Sequence, residues 1–352
     1  MQTSGELIDD KIIVKKTQDV GRLYNKSCFG KTTTGNKLQL NLLEGVFLLG
    51  EGKIKIFKNN REVDFQSLVE LSAERIPRFE IKYLIFRDLR KRGHAVKISE
   101  EAKEFDFCIY KVRKDGERNK SCFISIYSER DIVNIDEIKQ LIEIAAEGNK
   151  DLWFAIVDEE GDLTYYDVAL IDVRGKTGEH TFSKASGILM ENRVIVFDKK
   201  LGDSLLEKEF FGKPFGTGLQ LSLAEALYLM EKDAIDIQNI DGKKLSLNRF
   251  KTFIQQSQPD IESRITVFRD LKKRGLIVKT GFKFGAHFRA YTKNPNETHA
   301  EYLVHVVNKG FRSIWAEISR AVRLAHSVNK EILFARVDDG KIDYIKFGRL
   351  RP

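Results

Sequence analysis

The spacing of apolar and polar positions in the second half of the chain predicts a mixed arrangement of helices and strands. Apolar residues recur at helical spacing over 219–230, and short strand-like runs follow at 235–237 and near Leu245. An amphipathic helix is predicted over 262–274, because three basic residues close it and Gly275 follows, which is normal helix-ending chemistry.

The rest of this half predicts a sheet with one more helix. Strand-like patterns occur at 277–279, 284–292, 299–307, 332–337 and 342–347. Between them, a helix at about 311–328 would share one apolar face among Ile314, Ile318, Ala321, Val322 and Ala325. These elements predict a mixed sheet with a helix on it, in an α+β or α/β layer arrangement.

The chain repeats itself once. FRDLRKRG at 86–93 returns 182 positions later as FRDLKKRG at 268–275, and FGK at 29–31 returns at the same offset. The block at 149–158 returns 180 positions later, so only small loop deletions separate the copies. A period this long excludes a solenoid.

We therefore predict two tandem homologous repeats, 1–178 and 179–352, joined by a polar segment at 172–180 with two glycines. Each repeat is predicted to combine a small α/β N-terminal subdomain with a mixed-sheet, nuclease-like subdomain. In the second repeat these span 179–259 and 260–352.

Composition narrows the class of protein. The 352 residues are 42% hydrophobic, which excludes wholesale disorder, and the longest apolar stretch, near 46–49, is far shorter than a membrane span. With no signal peptide visible, we expect a cytoplasmic protein. Three cysteines without a CxxC motif argue against a disulfide scaffold and a zinc site. The net charge of +8 permits, but does not establish, binding to a polyanion.

Candidate chemistry gathers in the second repeat. Tyr291 ends a predicted strand, His299 begins the next strand after a short loop, and Lys330 begins a later one. A strand–loop–strand of this length can bring a phenol and an imidazole to one sheet edge, where the lysine adds a fixed cation.

This trio suits RNA cleavage by the RNA's own 2′-OH, which needs a base, an acid and positive charge on the phosphorane. Histidine exchanges protons near neutral pH. A phenol has an ordinary pKa of about 10. Tyr291 would therefore need cations such as Lys330 or Arg289 to act as a base, or it only orients the hydroxyl.

The first repeat carries an incomplete version of the trio. Tyr110 and Lys150 match the tyrosine and the lysine, but the position of the histidine falls near Lys120 or Ser121, and 95–179 contains no histidine. One competent and one degenerate copy is the pattern expected of a duplicated subunit that has specialised.

Four blocks of the second repeat resemble the catalytic domain of archaeal tRNA-splicing (tRNA-intron) endonucleases. They are FRDLKKRG (268–275), KFGAHFRAY (283–291), HAEYLV (299–304) and SVNKEILFA (327–335). The resemblance covers essentially the whole chain, as the two-repeat, homodimer-forming version. It implies that 1–178 is a degenerate, structural endonuclease repeat and that 179–352 is the catalytic one.

The resemblance also implies roles and partners. Tyr291 would be the general base, His299 the general acid and Lys330 the transition-state stabiliser. The expected substrate is a precursor tRNA with a bulge–helix–bulge at the exon–intron junctions. The products would be a 2′,3′-cyclic phosphate and a 5′-hydroxyl, from a lyase-type reaction without metal or cofactor.

Two further sets of residues follow from the resemblance. Arg323 and Arg349, the latter with Arg351 as an alternative, would clamp a flipped bulge base of the RNA bound by the other subunit. An acidic docking loop would enter a basic cleft on the partner chain and build a homodimer that is a pseudo-tetramer of repeats. Its residues are Asp158, Glu159, Glu160 and Asp162, with Asp338-Asp339 as the second-repeat counterpart.

Two alternatives stay open from the sequence. A metal-dependent nuclease is faintly suggested by 258–260 and by Glu137-Ile138-Lys139, although these lie in different repeats. A non-catalytic RNA-binding or scaffold subunit is the other. The basic runs at 87–92 and 269–274 are interpreted as solvated helix faces, with contact to an RNA backbone as the alternative.

Overall fold

The structure, a computed structural model, describes residues 3–112, 118–178, 183–258 and 260–352, and side chains in 111–120 lie outside the description. It has the mixed α/β architecture in tandem repeats that the sequence predicts. Within the described ranges, no helix is long and apolar enough to span a bilayer.

The first repeat has a front and a back part. The front part contains β1 (Thr3–Ile8), β2 (Lys11–Val14), α1 (Thr17–Val20), a π-helical turn (Gly21–Lys26), β3 (Lys31–Thr33), β4 (Lys37–Asn41), α2 (Leu42–Gly50), β5 (Ile54–Lys58), β6 (Arg61–Val63) and α3 (Phe65–Arg75). The back part contains α4 (Phe79–Lys91), β7 (Ala95–Ile98), β8 (Phe107–Val112), β9 (Arg118–Ser128), β10 (Ile132–Asn134), α5 (Ile135–Glu147), β11 (Asp151–Val157) and β12 (Leu163–Leu170).

The second repeat follows the same plan. Its front part contains β13 (Ala185–Met190), β14 (Arg193–Val196), α6 (Lys199–Glu209), β15 (Lys213–Phe215), β16 (Gly218–Ser222), α7 (Leu223–Glu231), β17 (Ile235–Gln238) and α8 (Leu247–Ser257). Its back part contains α9 (Ile261–Lys273), β18 (Ile277–Thr280), a 3₁₀ turn (Phe282–Phe284), β19 (Phe288–Tyr291), β20 (Tyr302–Asn308), β21 (Arg312–Ile314), α10 (Trp315–Ser327), β22 (Glu331–Asp338) and β23 (Lys341–Leu350).

The back parts of both repeats share one ten-stranded sheet, in the order β18-β19-β20-β22-β23-β12-β11-β9-β8-β7. The joint is the antiparallel pair β12–β23, where Tyr166 lies opposite Arg349 and Leu170 opposite Ile345. A second seam is the ribbon formed by β10 and β21. The front parts form separate six- and five-stranded sheets. The repeats are therefore one continuous body around a pseudo-twofold axis.

A buried arginine forms an ion pair between the two repeats. Arg336 of β22 is 5% exposed and donates to Asp136 of the first repeat at 2.5 Å. It also binds Asp343 at 3.1 Å and Asp338 at 3.0 Å. A guanidinium presents several donors in a fixed plane, which is why one arginine can hold three carboxylates together.

Helices cover both faces of the large sheet. On α9, Ile261, Ile265, Phe268 and Leu271 are buried at helical spacing. The aspartate of the FRDL block makes the same hydrogen bond in both repeats. Asp88 accepts from the hydroxyl of Tyr165 at 2.7 Å, and Asp270 accepts from that of Tyr344 at 2.8 Å. The opposite face packs under α10, where Ile318, Val322 and Ala325 are buried as predicted.

Several boundaries predicted from the sequence were wrong. Leu219 lies in β16, because the helix begins only after Ser222, which caps it reciprocally with Glu225. Ile314 lies in β21 and is 43% exposed, so the buried face of α10 starts instead at Trp315, which is fully buried.

The strands around the candidate site are also shorter than predicted. The strand expected over 284–292 begins at Phe288, and the one expected over 299–307 begins at Tyr302. His299 therefore lies in the connecting loop rather than in a strand. The helices α6 and α8 were not predicted.

The basic runs at the ends of α4 and α9 serve largely as internal ties. Arg90 donates to the carbonyl oxygens of Ser27, Cys28 and Val96. Lys272 is 8% exposed and pairs with Glu209 at 2.7 Å. These cations hold the front part of each repeat to its back part, so the interpretation of these runs as solvated helix faces was wrong for Arg90 and Lys272.

The segment between the repeats runs close along the second repeat. Gly175 donates to the carbonyl oxygen of Arg274 at 2.9 Å, and Thr177 donates to that of Gly275 at 3.0 Å. The predicted boundaries at 178/179 and 259/260 remain predictions, and residues 179–182 and 259 lie outside the described ranges.

Gly175→Ala should destabilise the protein by about 1–3 kcal/mol, the usual cost of forcing an extra carbon into a packed site. A Cβ at Gly175 would lie 1.9 Å from the carbonyl oxygen of Gly275, which is backbone and cannot move aside. Thermal or urea unfolding measures the change. Gly178→Ala is the matched control, because a Cβ there meets nothing within 4 Å. Equal stability of the two variants would contradict the close packing.

Candidate active site

Three adjacent strands bring the predicted trio to one edge of the sheet. Ala290 of β19 lies opposite Tyr302 of β20, and Tyr302 lies opposite Glu331 of β22. Tyr291 follows the first of these residues and Lys330 precedes the last, so both lie at the same strand ends. Neighbouring strands are about 4.8 Å apart, which places these two strands about 10 Å from each other.

Tyr291 is held in a small apolar cluster. It is 7% exposed and packs with Ile277 and Ala300, with Phe210 of the front part against them. The guanidinium of Arg289 lies 5.8 Å from the centre of its ring. Because Ala300 directly follows His299, this packing brings the histidine-bearing loop onto the tyrosine.

The loop that carries His299 is closed by hydrogen bonds. At its base, the carboxylate of Glu301 accepts from the backbone nitrogen of Thr292 at 2.9 Å and from its hydroxyl at 2.6 Å. Inside the loop, Asn294 accepts from the backbone nitrogens of Asn296 and Thr298. His299 itself is exposed. The loop is thus held by hydrogen bonds at its ends and leaves the imidazole of His299 accessible.

Lys330 is positioned by the end of α10. Asn329 adopts a left-handed conformation with φ 54°, which ends the helix, and the nitrogen of Lys330 donates to Ala325 at 2.9 Å. Its ammonium donates to the carbonyl oxygen of Val328 at 3.2 Å and lies 5.5 Å from the ring centre of Phe284. The same device ends the helix of the first repeat, where Asn149 has φ 51° and the nitrogen of Lys150 donates to Ala145 at 2.9 Å.

The first repeat has the same scaffold without the histidine. Tyr110 lies opposite Ala95 as Tyr291 lies opposite Ile277. Lys120 lies opposite Tyr110, but its side chain is outside the described part. Burial raises the pKa of the Tyr110 phenol far above its usual value.

Ser121 of this repeat occupies the register of Glu301 and donates to the carbonyl oxygen of Ile109 at 3.2 Å. At this register the first repeat therefore has a hydroxyl where the second repeat has the carboxylate that closes the loop. The sequence pattern did not identify Glu301 as a residue of the site, because only the folded loop brings it to its partner, Thr292. The signal that could have found it is the serine in the other copy.

The two arginines predicted to contact RNA lie near each other. Arg323 on α10 and Arg349 on β23 are both exposed. Burial raises the pKa of the Tyr166 phenol, while Arg323 and Arg349 oppose that rise, so both guanidinium groups lie near its hydroxyl. Arg351 follows the end of β23. Arg349 and Arg323 therefore share a surface around Tyr166.

The acidic turn between β11 and β12 is built around Asp158. Its carboxylate accepts from the backbone nitrogens of Glu160 at 3.0 Å and Asp162 at 2.8 Å. Glu159 pairs with Arg130. The side chains of Glu160 and Asp162 are exposed. In the second repeat, Asp338 is instead held by Arg336 and Lys309, so the two turns differ in free charge.

A cavity of about 250 Å³ in the second repeat, called the basic pocket here, lies between the front sheet and the β18–β19 hairpin. Its cationic lining is Arg193, Lys213, Lys279 and Arg289, against one carboxylate, Glu225. The corresponding cavity of the first repeat is lined by Lys31 and Lys97 but by three carboxylates, those of Glu44, Glu100 and Glu101. Among the side chains that the structure describes, the two linings therefore have formal charges of opposite sign.

Comparison with known proteins matches both parts of both repeats. The model of the tRNA intron endonuclease catalytic C-terminal domain matches 79–165 and 261–344, and that of the N-terminal domain matches 3–69 and 185–251. The chain belongs to the tRNA intron endonuclease family. The four matches are the two tandem pairs of N-terminal and catalytic domains that the repeat predicted.

Relatives of similar length support this membership. A protein of Methanococcoides burtonii named tRNA-splicing endonuclease is 33% identical over 353 residues, covering 98% of this chain and 99% of the relative. One of Methanosarcina barkeri with the same name is 33% identical over 352 residues, with 98% and 99% covered. One of Haloferax volcanii, also so named, is 30% identical over 355 residues, with 94% and 95% covered.

Residues that suggested a metal-dependent nuclease lie on or beside helices, and two of them form ion pairs with neighbouring side chains. Glu137 and Lys139 lie on α5, and Lys139 pairs with Glu143. Asp260 precedes α9 and pairs with Arg264 at 2.6 Å. Pro259 lies outside the described residues. In the described part of the chain, no three His, Cys, Asp or Glu side chains gather as a metal site would require.

Proposed function

We propose that this tRNA-splicing endonuclease cleaves precursor tRNA at bulge–helix–bulge exon–intron junctions through attack of the RNA's own 2′-OH. The observation that carries the proposal is the register of β19, β20 and β22, which puts Tyr291, the loop of His299 and Lys330 at one sheet edge in the second repeat. The first repeat keeps the tyrosine and the lysine but offers no acid.

The proposed reaction forms one bond and breaks one. The ionised form of Tyr291, a phenolate, accepts the proton of the 2′-OH, the 2′ oxygen bonds to phosphorus, and the bond from phosphorus to the 5′ oxygen breaks. His299 gives its proton to that leaving oxygen, and Lys330 stabilises charge on the non-bridging oxygens. The products are a 2′,3′-cyclic phosphate and a 5′-hydroxyl, and no step calls for a metal or cofactor.

Arg323 and Arg349 are proposed to hold a splayed bulge base on the RNA bound by the partner subunit. Their shared surface near Tyr166 supports the pairing. Planar guanidinium groups stack on bases that have left the helix, which is how single-stranded RNA is commonly recognised.

A single assay tests the proposed function. The protein is incubated in EDTA with a bulge–helix–bulge RNA, and the ends of the products are identified. Lys330→Ala should lose cleavage by about 100-fold or more, while Lys150→Ala, the matched residue of the first repeat, should cleave as wild type. Products that end in a 3′-hydroxyl and a 5′-phosphate would refute the proposal. So would a lack of cleavage in the absence of added metal. Binding without turnover would favour the scaffold alternative.

The protein is also proposed to form a homodimer, a pseudo-tetramer of repeats, through docking of the acidic turn in the partner's basic pocket. The charges support this pairing, because the turn exposes Glu160 and Asp162, and the second-repeat pocket has four cations to one carboxylate. Two such contacts related by a dyad close a C₂ dimer. The described lining of the first-repeat pocket, with three glutamates and two lysines, should attract the same turn less strongly.

Reversing two charges of the acidic turn should halve the mass of the particle in solution, from dimer to monomer. Glu160→Lys with Asp162→Lys replaces attraction by repulsion and leaves Asp158 in place to hold the turn, so light scattering should report monomers. Adding Arg193→Glu and Lys213→Glu to the same chain should restore the dimer, because the two surfaces then exchange signs. Asp339→Lys, in the second-repeat turn, is the control and should stay dimeric. A double variant that remains dimeric would disprove the docking.

A further inference from the structure

Glu301 connects the three strands of the candidate site, and it does so next to the three candidate catalytic residues. Its carboxylate binds Thr292, the residue after Tyr291, through two hydrogen bonds of 2.9 and 2.6 Å. Its backbone oxygen accepts from the nitrogen of Glu331, the residue after Lys330, at 2.9 Å. Glu301 itself lies two residues after His299. One residue therefore touches the sequence neighbours of all three groups.

The bonds to Thr292 close the loop that carries His299. They join its first and last residues, so the loop is fixed at both ends to strands that cannot shift independently. An imidazole on an open loop would sample many positions, and proton transfer needs a heavy-atom separation of about 2.6–3.2 Å. A misplacement of about 1 Å can cost about 100-fold in rate.

The first repeat supplies an internal comparison. Ser121 stands where Glu301 stands, and its hydroxyl donates to the neighbouring strand at Ile109 instead of closing a loop. The corresponding strand β9 is also longer, Arg118–Ser128 against Tyr302–Asn308 in β20. The repeat without the histidine thus has a serine at the position of Glu301.

We propose that Glu301 is a positioning residue for cleavage: it clamps the loop 292–301 to the sheet and so holds His299 in place to protonate the 5′ oxygen. The inference rests on the proposed function. Glu301 does not touch the RNA, and it acts only through the histidine loop. Its removal should therefore lower the rate of the chemical step and leave RNA affinity unchanged.

The experiment is single-turnover cleavage by Glu301→Ala, Glu301→Gln and the control Glu297→Ala. Glu297 is a glutamate of the same loop whose carboxylate accepts from the Asn294 side chain at 3.3 Å. We expect Glu301→Ala to lower kcat about 10- to 100-fold with KM within twofold. Glu301→Gln should recover part of this, because an amide oxygen still accepts one of the two bonds. Glu297→Ala should change kcat less than twofold.

A modified RNA separates positioning from a general loss of structure. With sulfur in place of the 5′ bridging oxygen, the leaving thiolate needs no proton, because thiols ionise near pH 8.5. Glu301→Ala should then cleave at nearly the wild-type rate. A defect of the same size on this RNA, or wild-type cleavage of the oxygen RNA by Glu301→Ala, would overturn the inference. Wild-type protein that cleaves neither RNA would instead refute the proposed function.

Hydrogen exchange gives a readout besides activity. The amides of 293–300 should exchange faster in Glu301→Ala, while those of α10 stay as in wild type. Unchanged exchange in the loop would show that the clamp does not restrain it and would equally overturn the inference.

Discussion

His299→Ala should slow cleavage of a bulge–helix–bulge RNA by about 10²- to 10⁴-fold, the usual contribution of a positioned general acid. The leaving 5′ oxygen would then depart as an alkoxide, which is the costly step that the imidazole proton avoids. Affinity for an RNA with a 2′-deoxy residue at the cleavage site, which cannot react, should stay within about twofold. Single-turnover kinetics and fluorescence anisotropy measure the two quantities.

The acid role has its own control. The 5′-thio RNA should restore most of the rate to His299→Ala, since its leaving group needs no proton. His94→Ala is the matched variant: this histidine lies in the first repeat, edge-on to Trp153, and its loss should leave cleavage unchanged. Full activity of His299→Ala on ordinary RNA would assign the acid to another group.

Lys272→Met should destabilise the second repeat by about 3–5 kcal/mol, because it removes one member of a buried ion pair. The side chains of Lys272 and Glu209 are 5% and 6% exposed, and their charged atoms are 2.7 Å apart. The ammonium also lies 4.8 Å from the ring centre of Phe211. Urea unfolding should show the loss as a lower midpoint with an unchanged slope.

Two further variants test whether the loss of stability comes from the broken ion pair. Lys273→Met changes the neighbouring lysine, which is exposed, and should move the midpoint little. Lys272→Met with Glu209→Leu removes both charges and should recover most of the stability, because a buried ion pair can be replaced by apolar groups at little net cost. If the double variant is no more stable than Lys272→Met, the disrupted ion pair is not the cause of the lower midpoint.

The repeat and the trio could be read from the sequence because both are local patterns. The FRDL block, its offset and the Asn-Lys pairs before β11 and β22 survive in the order of residues. The helix α9 was predicted to within a residue of its observed bounds, since periodicity, end cations and a terminal glycine agreed. The failures at Leu219 and Ile314 have one cause. Each lies in a short strand joined to the start of a helix, where apolar spacing continues through the boundary.

The amino-acid sequence by itself determined the number of repeats, their mixed architecture, the family and which copy has the histidine. Only the tertiary structure decided that β12 and β23 join both repeats into one sheet, that Glu301 closes the histidine loop, and that the two pockets differ in charge. These features depend on pairings between residues far apart in the chain, and a linear pattern does not record which distant strand or carboxylate a residue will meet. The buried pair of Lys272 and Glu209 belongs to the same class, because its energy comes from the removal of water, which only folding produces.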